Sequence, residues 1–297
     1  MKIGVVGPGA IGTFLAGILG AQNEVVLLGQ RPLDIKTIEI YGKTRLETGV
    51  TYTESVESLS DKELIIICTK SFDTAEAMAS VSDHLSSECM ILSLQNGLKN
   101  EEIISDFVGG ERTIGGVTSN GVTYMEPGKV KHAGEGETII GSYTEDRNKK
   151  VEKVYRIFNH AGIDTTISEN ILVNIWEKVV VNSGINPMTA LLRIKNGVLI
   201  EDQYLTKLME DTVLESASVA EKYVDLDSKK VLKKTKKVAE RTSDNLSSML
   251  QDIEDESRTE VDQINGAIIE KAEKEGVSAH VNRVLYRLVK GLENRYL

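Results

Sequence analysis

The sequence predicts an α/β N-terminal Rossmann-type domain over 1–167 and a C-terminal all-α domain over 168–297. Three observations predict it. Apolar strand-like runs alternate with helical or loop segments through the first half, the pattern of a parallel sheet with covering helices. Gly7, Gly9 and Gly12 stand in G-x-G-x-x-G spacing directly after the first such run. Beyond about Ser168 glycines become scarce and most segments carry helical period. At 297 residues the chain is long enough for two domains.

Lys2 to Val6 is apolar and ends at Gly7, as a buried strand entering a tight turn should. Phe14, Leu15, Ile18 and Leu19 then recur at helical spacing, so the glycines lie between a strand and a helix. In that context Gly7 allows the turn, Gly9 lets backbone approach a pyrophosphate, and Gly12 lets the helix pack close to the sheet. The stretch Gly7, Pro8, Gly9, Ala10, Ile11 and Gly12 therefore reads as a phosphate-binding turn, with helix N–H groups facing the anion. The bland alternative is a glycine-rich structural turn.

The second strand, Glu24 to Leu28, ends without the acid that usually meets an NAD ribose. It is followed instead by Arg31, whose planar fork of donors suits a 2′-phosphate. Lys70, just past the strand Leu64 to Cys68, adds a second charge. These residues favour NADPH over NADH. Strands follow at Met90–Leu94 and Thr113–Val117. The turn-rich stretch Tyr124 to Gly141 reads as antiparallel hairpin strands on the sheet edge. Val151 to Ala161 reads as a helix stopped by Gly162, and Ile163 to Ile167 as a last strand.

The helical half opens with Ile171 to Ile185, whose many Val and Ile residues predict burial. Lys178, Asn182 and Asn186 recur four apart and so share one helix face. A lysine there can hydrogen-bond a carbonyl and give a proton to a developing alkoxide, and the amides can orient hydroxyl or carboxylate groups. A surface lysine beside two packing amides is the alternative. Gly184 and Pro187 are expected to bend or end the helix. Lys233, Lys234, Lys236 and Lys237 read as the solvated face of a later helix. Thr259 reads as an N-cap with Asp262 at the capping-box position, Glu260 in the first turn, and Gly276 as the stop. Alone, Glu260 is a favourable first-turn acid and Ser248 a capping or surface serine.

A net charge of −10 argues against generic nucleic-acid binding. No apolar stretch reaches the roughly 20 residues of a membrane span, and the opening strand shows no signal-peptide pattern. Cys68 and Cys89 lie in apolar runs, as reduced buried thiols do. The histidines show no metal-ligand spacing with them, so no metal is expected. A cytoplasmic enzyme is the expectation.

Taken in order, these motifs resemble the ketopantoate reductase (2-dehydropantoate 2-reductase) family. The resemblance covers nearly the whole chain. Its specific parts are Lys178 to Pro187, Ser247 to Asp252, and Thr259 to Gly266, supported by Thr69-Lys70, Gln95-Asn96-Gly97 and Asn196-Gly197. It implies NADPH-dependent reduction of 2-dehydropantoate to (R)-pantoate, on the way to pantothenate and coenzyme A. It implies Lys178 as general acid, and Glu260 as the carboxylate that holds the substrate 4-hydroxyl near the nicotinamide ribose. Ser248, with Asn245 and Ser247, would take the substrate carboxylate. Asn182, Asn186 and Asn196 would orient substrate, Asn96 would lie beside the nicotinamide, and Arg31 and Lys70 would hold the 2′-phosphate. Val122 stands where many members carry a smaller residue beside the cofactor, and the stretch Glu254 to Glu256 is unusually acidic for the family.

Two rival readings share the motifs. One is an NADP-dependent reductase of another branched 2-oxoacid. The other is a non-catalytic NADP(H)-sensing regulator, which would have no reason to keep Lys178, Glu260 and Ser248 together. Coenzyme A resembles half of NADPH, so Arg31, Lys70 and the glycine turn could accept it as a competing end product. Leu- and Val-rich helical faces suggest a homodimer.

Overall fold

The computed structural model describes residues 1–144 and 149–297. Among them the strands are β1 Lys2–Val6, β2 Glu24–Leu28, β3 Thr37–Gly42, β4 Leu46–Gly49, β5 Thr51–Thr53, β6 Leu64–Ile67, β7 Met90–Ser93, β8 Thr113–Thr118, β9 Gly121–Glu126, β10 Lys129–Gly134, β11 Thr138–Ser142 and β12 Thr165–Ile167. The α-helices are α1 Ala10–Gly20, α2 Thr74–Val81, α3 Asn100–Val108, α4 Lys149–His160, α5 Ile171–Leu192, α6 Val198–Glu201, α7 Gln203–Ala220, α8 Ser228–Arg241, α9 Ser248–Glu254, α10 Ala267–Glu275 and α11 His280–Glu293. A π-helical turn, Asp262–Gly266, leads into α10. No helix of the described residues is long and apolar enough to cross a membrane.

The chain forms two compact units, one of Met1–Gln95 and Lys99–Asn174, the other of Asn96–Leu98 and Ile175–Leu297. The division passes through α5, between Asn174 and Ile175.

The first unit is built on a sheet of order β12-β11-β8-β7-β6-β1-β2-β5. From β5 to β8 every neighbouring pair is parallel. Alternation along each central strand fills both faces. Ile3, Val5, Val25, Leu27, Leu64 and Ile66 pack with Phe14, Leu15, Ile18 and Leu19 of α1 and with Val151, Val154 and Phe158 of α4. Val26, Leu28, Ile65 and Ile67 pack on the other side with Met78 and Val81 of α2 and Ile104 of α3. The chain leaves β1 towards β2 and β5, then returns to lay β6 on the opposite flank of β1. In open α/β sheets a ligand crevice forms at such a reversal, beyond the carboxyl ends of the strands.

Three sequence expectations change here. The hairpin β9–β10 is not an edge of the main sheet. It joins β3 and β4 in a second sheet of order β4-β3-β10-β9, with β10 parallel to β3; of the strands in that stretch only β11 enters the main sheet, antiparallel to β8. The second sheet exists because Ile38, Ile40 and Val130 alternate inward onto α1, where Gly17 has no side chain in their way. Pro187 does not stop α5, which continues to Leu192. A proline removes the N–H that would bond the carbonyl four residues back, here that of fully buried Ser183. The Asn265 side-chain amide reaches that carbonyl at 3.4 Å, so α5 passes through its proline without an orphaned buried acceptor. The helix also runs on through Gly184, where a Cβ would come 2.5 Å from a Val213 methyl, so this glycine permits close packing on α7.

The capping box at Thr259 is also rearranged. The Thr259 hydroxyl does cap, accepting from the Val261 N–H at 3.2 Å. Its reciprocal partner is Glu293 of α11, whose Oε1 accepts from the Thr259 N–H at 2.8 Å. Asp262 turns away to Arg258 at 3.1 Å, Lys290 at 3.1 Å and the Tyr286 hydroxyl at 2.9 Å. Gly276, at φ +65°, ends α10 as the sequence suggests.

Candidate functional site

In the first unit the glycine turn follows β1 at the reversal of strand order. Gly7 adopts φ +104°, a region open to glycine and strained for other residues. A Cβ on it would meet the Thr69 N at 2.8 Å. A Cβ on Gly12 would strike the Gly7 carbonyl oxygen and approach the Cys68 Cβ to 3.2 Å, so Gly12 is what lets α1 start against the strand ends. Gly9 is different: nothing among the described residues lies within 4 Å of the space its Cβ would fill. It is the N-cap of α1, with no side chain capping it and no acid in the first turn. Ala10, Ile11 and Gly12 begin the helix, and the Thr13 hydroxyl donates to the Pro8 carbonyl at 3.2 Å, closing the turn. An open cradle under unneutralised helix N–H groups fits a pyrophosphate.

Arg31 and Lys70 follow β2 and β6, the strands that flank β1. Arg31 is exposed, and its carbonyl accepts from the Tyr52 hydroxyl. The Lys70 loop is held from below by a residue to which sequence reasoning gave no role. The Gln95 amide donates to the Thr69 carbonyl at 3.0 Å and to the Thr74 hydroxyl at 2.8 Å, which in turn donates to Asn100 at 2.8 Å. The signal was present, since Gln95 stands beside Asn96, but its role needed the fold. Val122 lies on β9 opposite His132. That histidine is buried between Thr44 and Asn120; burial lowers its pKa, so it serves as a neutral structural residue. Cys68 is likewise held as a thiol, burial pushing its pKa up to about 12.

In the second unit Lys178, Asn182 and Asn186 all lie on α5, one turn apart. Asn186 is buried, and Lys178 and Asn182 are half-buried. Glu260 is only 6% exposed. Its Oε2 accepts from the Asn96 side-chain amide at 2.9 Å. The Asn96–Leu98 segment rests on the π-turn, with the Leu98 N–H donating to the Gln263 carbonyl at 3.1 Å. Gly97, at φ +89°, leaves no room for a Cβ against Gln263. π-helical turns of this kind recur at functional sites; this one carries Asn265 and begins two residues after Glu260.

Asn196, Asn245, Ser247 and Ser248 lie around the start of α9. The Asn196 N–H donates to the Asn245 carbonyl at 3.1 Å, and its amide to the Thr242 hydroxyl at 2.9 Å. The Asn196 Oδ1 is buried without a partner among the described residues, which leaves an acceptor to be satisfied by another donor. Ser247 caps α9 through the Leu250 N–H at 3.1 Å and lies 2.7 Å from the Thr189 hydroxyl. Ser248 and Asn245 are exposed. Around Glu260 the charges are arranged in pairs. Burial opposes the Asp262 charge, but Tyr286, Lys290 and Arg258 outweigh it and hold its pKa below the ordinary carboxylate value. Burial opposes the Lys290 charge too, and Glu293 and Asp262 outweigh it.

A glycine turn at the switch strand of a doubly wound sheet, with a lysine–amide face and a buried carboxylate in a helical unit, defines a dinucleotide-dependent oxidoreductase scaffold. Comparison with known proteins narrows this. The model of "Ketopantoate reductase PanE/ApbA" matches residues 3–145, and that of its C-terminal part matches residues 170–293. The chain is 40% identical to the 2-dehydropantoate 2-reductase of Pyrococcus horikoshii, over 99% of this chain and 98% of the relative. Among solved structures, the 2-dehydropantoate 2-reductase of Geobacter metallireducens superposes with TM-score 0.91 at 25% identity, over 98% of this chain and 99% of that one. A D-mandelate dehydrogenase solved with NADH and anilino(oxo)acetate superposes with TM-score 0.93 at 26% identity, over 100% and 99%. The chain belongs to the ketopantoate reductase family.

Proposed function

We propose that the protein reduces 2-dehydropantoate to (R)-pantoate with NADPH. The observation that carries this reading is the α5 face of Lys178, Asn182 and Asn186 within the same unit as the buried Glu260 and its half-buried partner Asn96. Gly7, Pro8, Gly9, Ala10, Ile11 and Gly12 hold the cofactor pyrophosphate and Arg31 and Lys70 its 2′-phosphate; Val122 is a backbone contact to the cofactor, and Asn96 is the contact beside the nicotinamide. When bound, the cofactor supplies the hydride.

The protein's own side chains do the rest. The Lys178 ammonium hydrogen-bonds the keto oxygen, offsets the charge that develops there and gives up its proton. Asn182, Asn186 and Asn196 orient the substrate without adding charge. Glu260 accepts from the 4-hydroxyl. The exposed Ser248 and Asn245 meet the carboxylate, with Ser247 holding the start of α9 beneath them.

A second reading has a specific observation in its favour. The close superposition with a D-mandelate dehydrogenase means that this scaffold also suits a different 2-oxoacid. Rates of NADPH oxidation with 2-dehydropantoate and with other branched 2-oxoacids separate the readings. The proposal requires the highest kcat/KM for 2-dehydropantoate. A higher value for another oxoacid favours the second reading, and NADPH binding without turnover of any oxoacid overturns both.

Coenzyme A, with its adenosine, pyrophosphate and ribose phosphate, competes for the same turn, Arg31 and Lys70. An unchanged KM for NADPH in its presence would refute that. Tyr204 and Leu208, one turn apart, and Leu214 leave apolar side chains exposed on α7, which supports a homodimer; light scattering after gel filtration tests it.

A further inference from the structure

The turn that carries Glu260 is held by one face of α11. Tyr286, Lys290 and Glu293 are spaced four and three residues apart, so they share that face. Glu293 is fully buried. Its Oε1 accepts from both donors of Thr259, the N–H at 2.8 Å and the hydroxyl at 2.6 Å. Its Oε2 pairs with the Lys290 ammonium at 2.7 Å. The same ammonium lies 3.1 Å from Asp262, which also accepts from the Tyr286 hydroxyl at 2.9 Å. Glu260 therefore sits between two anchored residues, Thr259 before it and Asp262 two after it.

This is a costly way to dock a helix. The buried Glu293 carboxylate loses its hydration and the half-buried Lys290 ammonium part of its own, and an apolar stripe of similar volume would usually bury α11 as well or better. What the polar stripe gives, and an apolar one would not, is a fixed backbone position for residues 259–262. A carboxylate meant to accept from one particular hydroxyl needs that, because an angular error of a few tens of degrees weakens a hydrogen bond steeply.

We propose that Glu293 is a specificity-determining positioning residue, which holds Glu260 where it can recognise the hydroxyl of the oxoacid substrate. The inference rests on the reading of Glu260 given under Proposed function. It concerns a fully buried residue whose carboxylate is taken up by Thr259 and Lys290.

The test is the preference, as a ratio of kcat/KM, for 2-dehydropantoate over 3,3-dimethyl-2-oxobutanoate, the same acid without its hydroxyl. Glu260→Ala should lower this ratio by tenfold or more. Glu293→Leu should lower it about as far, mainly through KM for the hydroxylated acid. Glu293→Gln, whose amide oxygen can still accept from Thr259, should keep most of the preference. If Glu293→Leu slows both acids equally, the residue is merely structural and the proposal fails. If Glu260→Ala leaves the ratio intact, the reading of Glu260 itself is wrong. Should Glu293→Leu not fold, as judged by circular dichroism, Thr259→Val removes one of the two anchoring donors. It should lower the ratio about threefold, and an unchanged ratio there also overturns the proposal.

Discussion

The glycine turn of the first unit and the α5 face of the second work with different parts of the chain. The turn is made of backbone: what matters at Gly7 and Gly12 is a dihedral angle and an absence of atoms. The α5 face is made of side chains, and what matters there is which groups protrude one turn apart. A backbone site is broken by adding volume, and stability should suffer with binding wherever that volume meets the chain itself, as at Gly7 and Gly12. A side-chain site is broken by changing chemistry, and the fold should survive. Both sites are read from spacing, the glycines at G-x-G-x-x-G and the α5 face at every fourth residue, whereas Glu260 and Ser248 take their roles only from the family resemblance.

The largest effect tests the side-chain half. Lys178→Ala should lower kcat with 2-dehydropantoate by a factor on the order of a hundred or more, as loss of a general acid does. The Kd for NADPH, followed by fluorescence titration, should be unchanged. A parallel loss of both would place Lys178 in cofactor binding and blur the distinction.

The backbone half is sharpened by two substitutions of the same size. Gly12→Ala forces a methyl group onto the Gly7 carbonyl and should cost about 1–3 kcal/mol of stability, as overpacking does. Gly9→Ala meets nothing within 4 Å, and its φ of −79° suits alanine. It should leave the melting temperature unchanged while weakening NADPH. If both variants melt alike, the cradle at Gly9 is not reserved for a ligand.

Arg31→Ala should raise KM for NADPH by roughly tenfold, the effect of losing a charge-assisted hydrogen bond worth about 1.5 kcal/mol. KM for NADH should barely move, because NADH lacks the 2′-phosphate. Equal effects on both cofactors would remove Arg31 from the phosphate site.

The smallest effect concerns pH. The Asp262 pKa is held below its ordinary 3.8 in the folded protein, so its stabilisation is complete above that value and is lost as pH falls through the lower folded one. Asp262→Asn should flatten the fall of melting temperature below about pH 4. An unaltered profile would show that the cluster around Lys290 gains nothing from this charge.

The sequence resolves the first unit well where both faces of a strand are buried. β1 and β2 run from Lys2 to Val6 and from Glu24 to Leu28, as the continuous apolar runs require. It resolves poorly what is half-exposed. β3 alternates exposed Thr37 and Glu39 with buried Ile38 and Ile40, a period-two signal that is short and diluted by charge. β9 and β10 are visible as a hairpin, but nothing local says that β3 is their partner. In the second unit the helix bearing Lys178 is legible from its Val and Ile residues. Its length is not, because what carries α5 past Pro187 is an amide 82 positions away from Ser183. The cap on Thr259 fails in the same way: Asp262 has the right spacing, but a longer-range competitor, Glu293, takes the place. Short-range rules read the sequence up to the point where a distant side chain outcompetes a near one.

The bond between Asn265 and the Ser183 carbonyl has a kinetic consequence. A helix normally closes its own ladder within microseconds, from contacts four residues apart. α5 cannot do so at Pro187, and its missing rung arrives only by a loop closure of 82 residues, the slow kind of contact. The segment around Asn186 should therefore be among the last parts of the unit to lock. Conservative substitutions there should speed unfolding more than they slow folding. On a nascent chain, made N-terminus first, the helix that bears the proposed proton donor would stay incompletely bonded until residue 265 is made and in place.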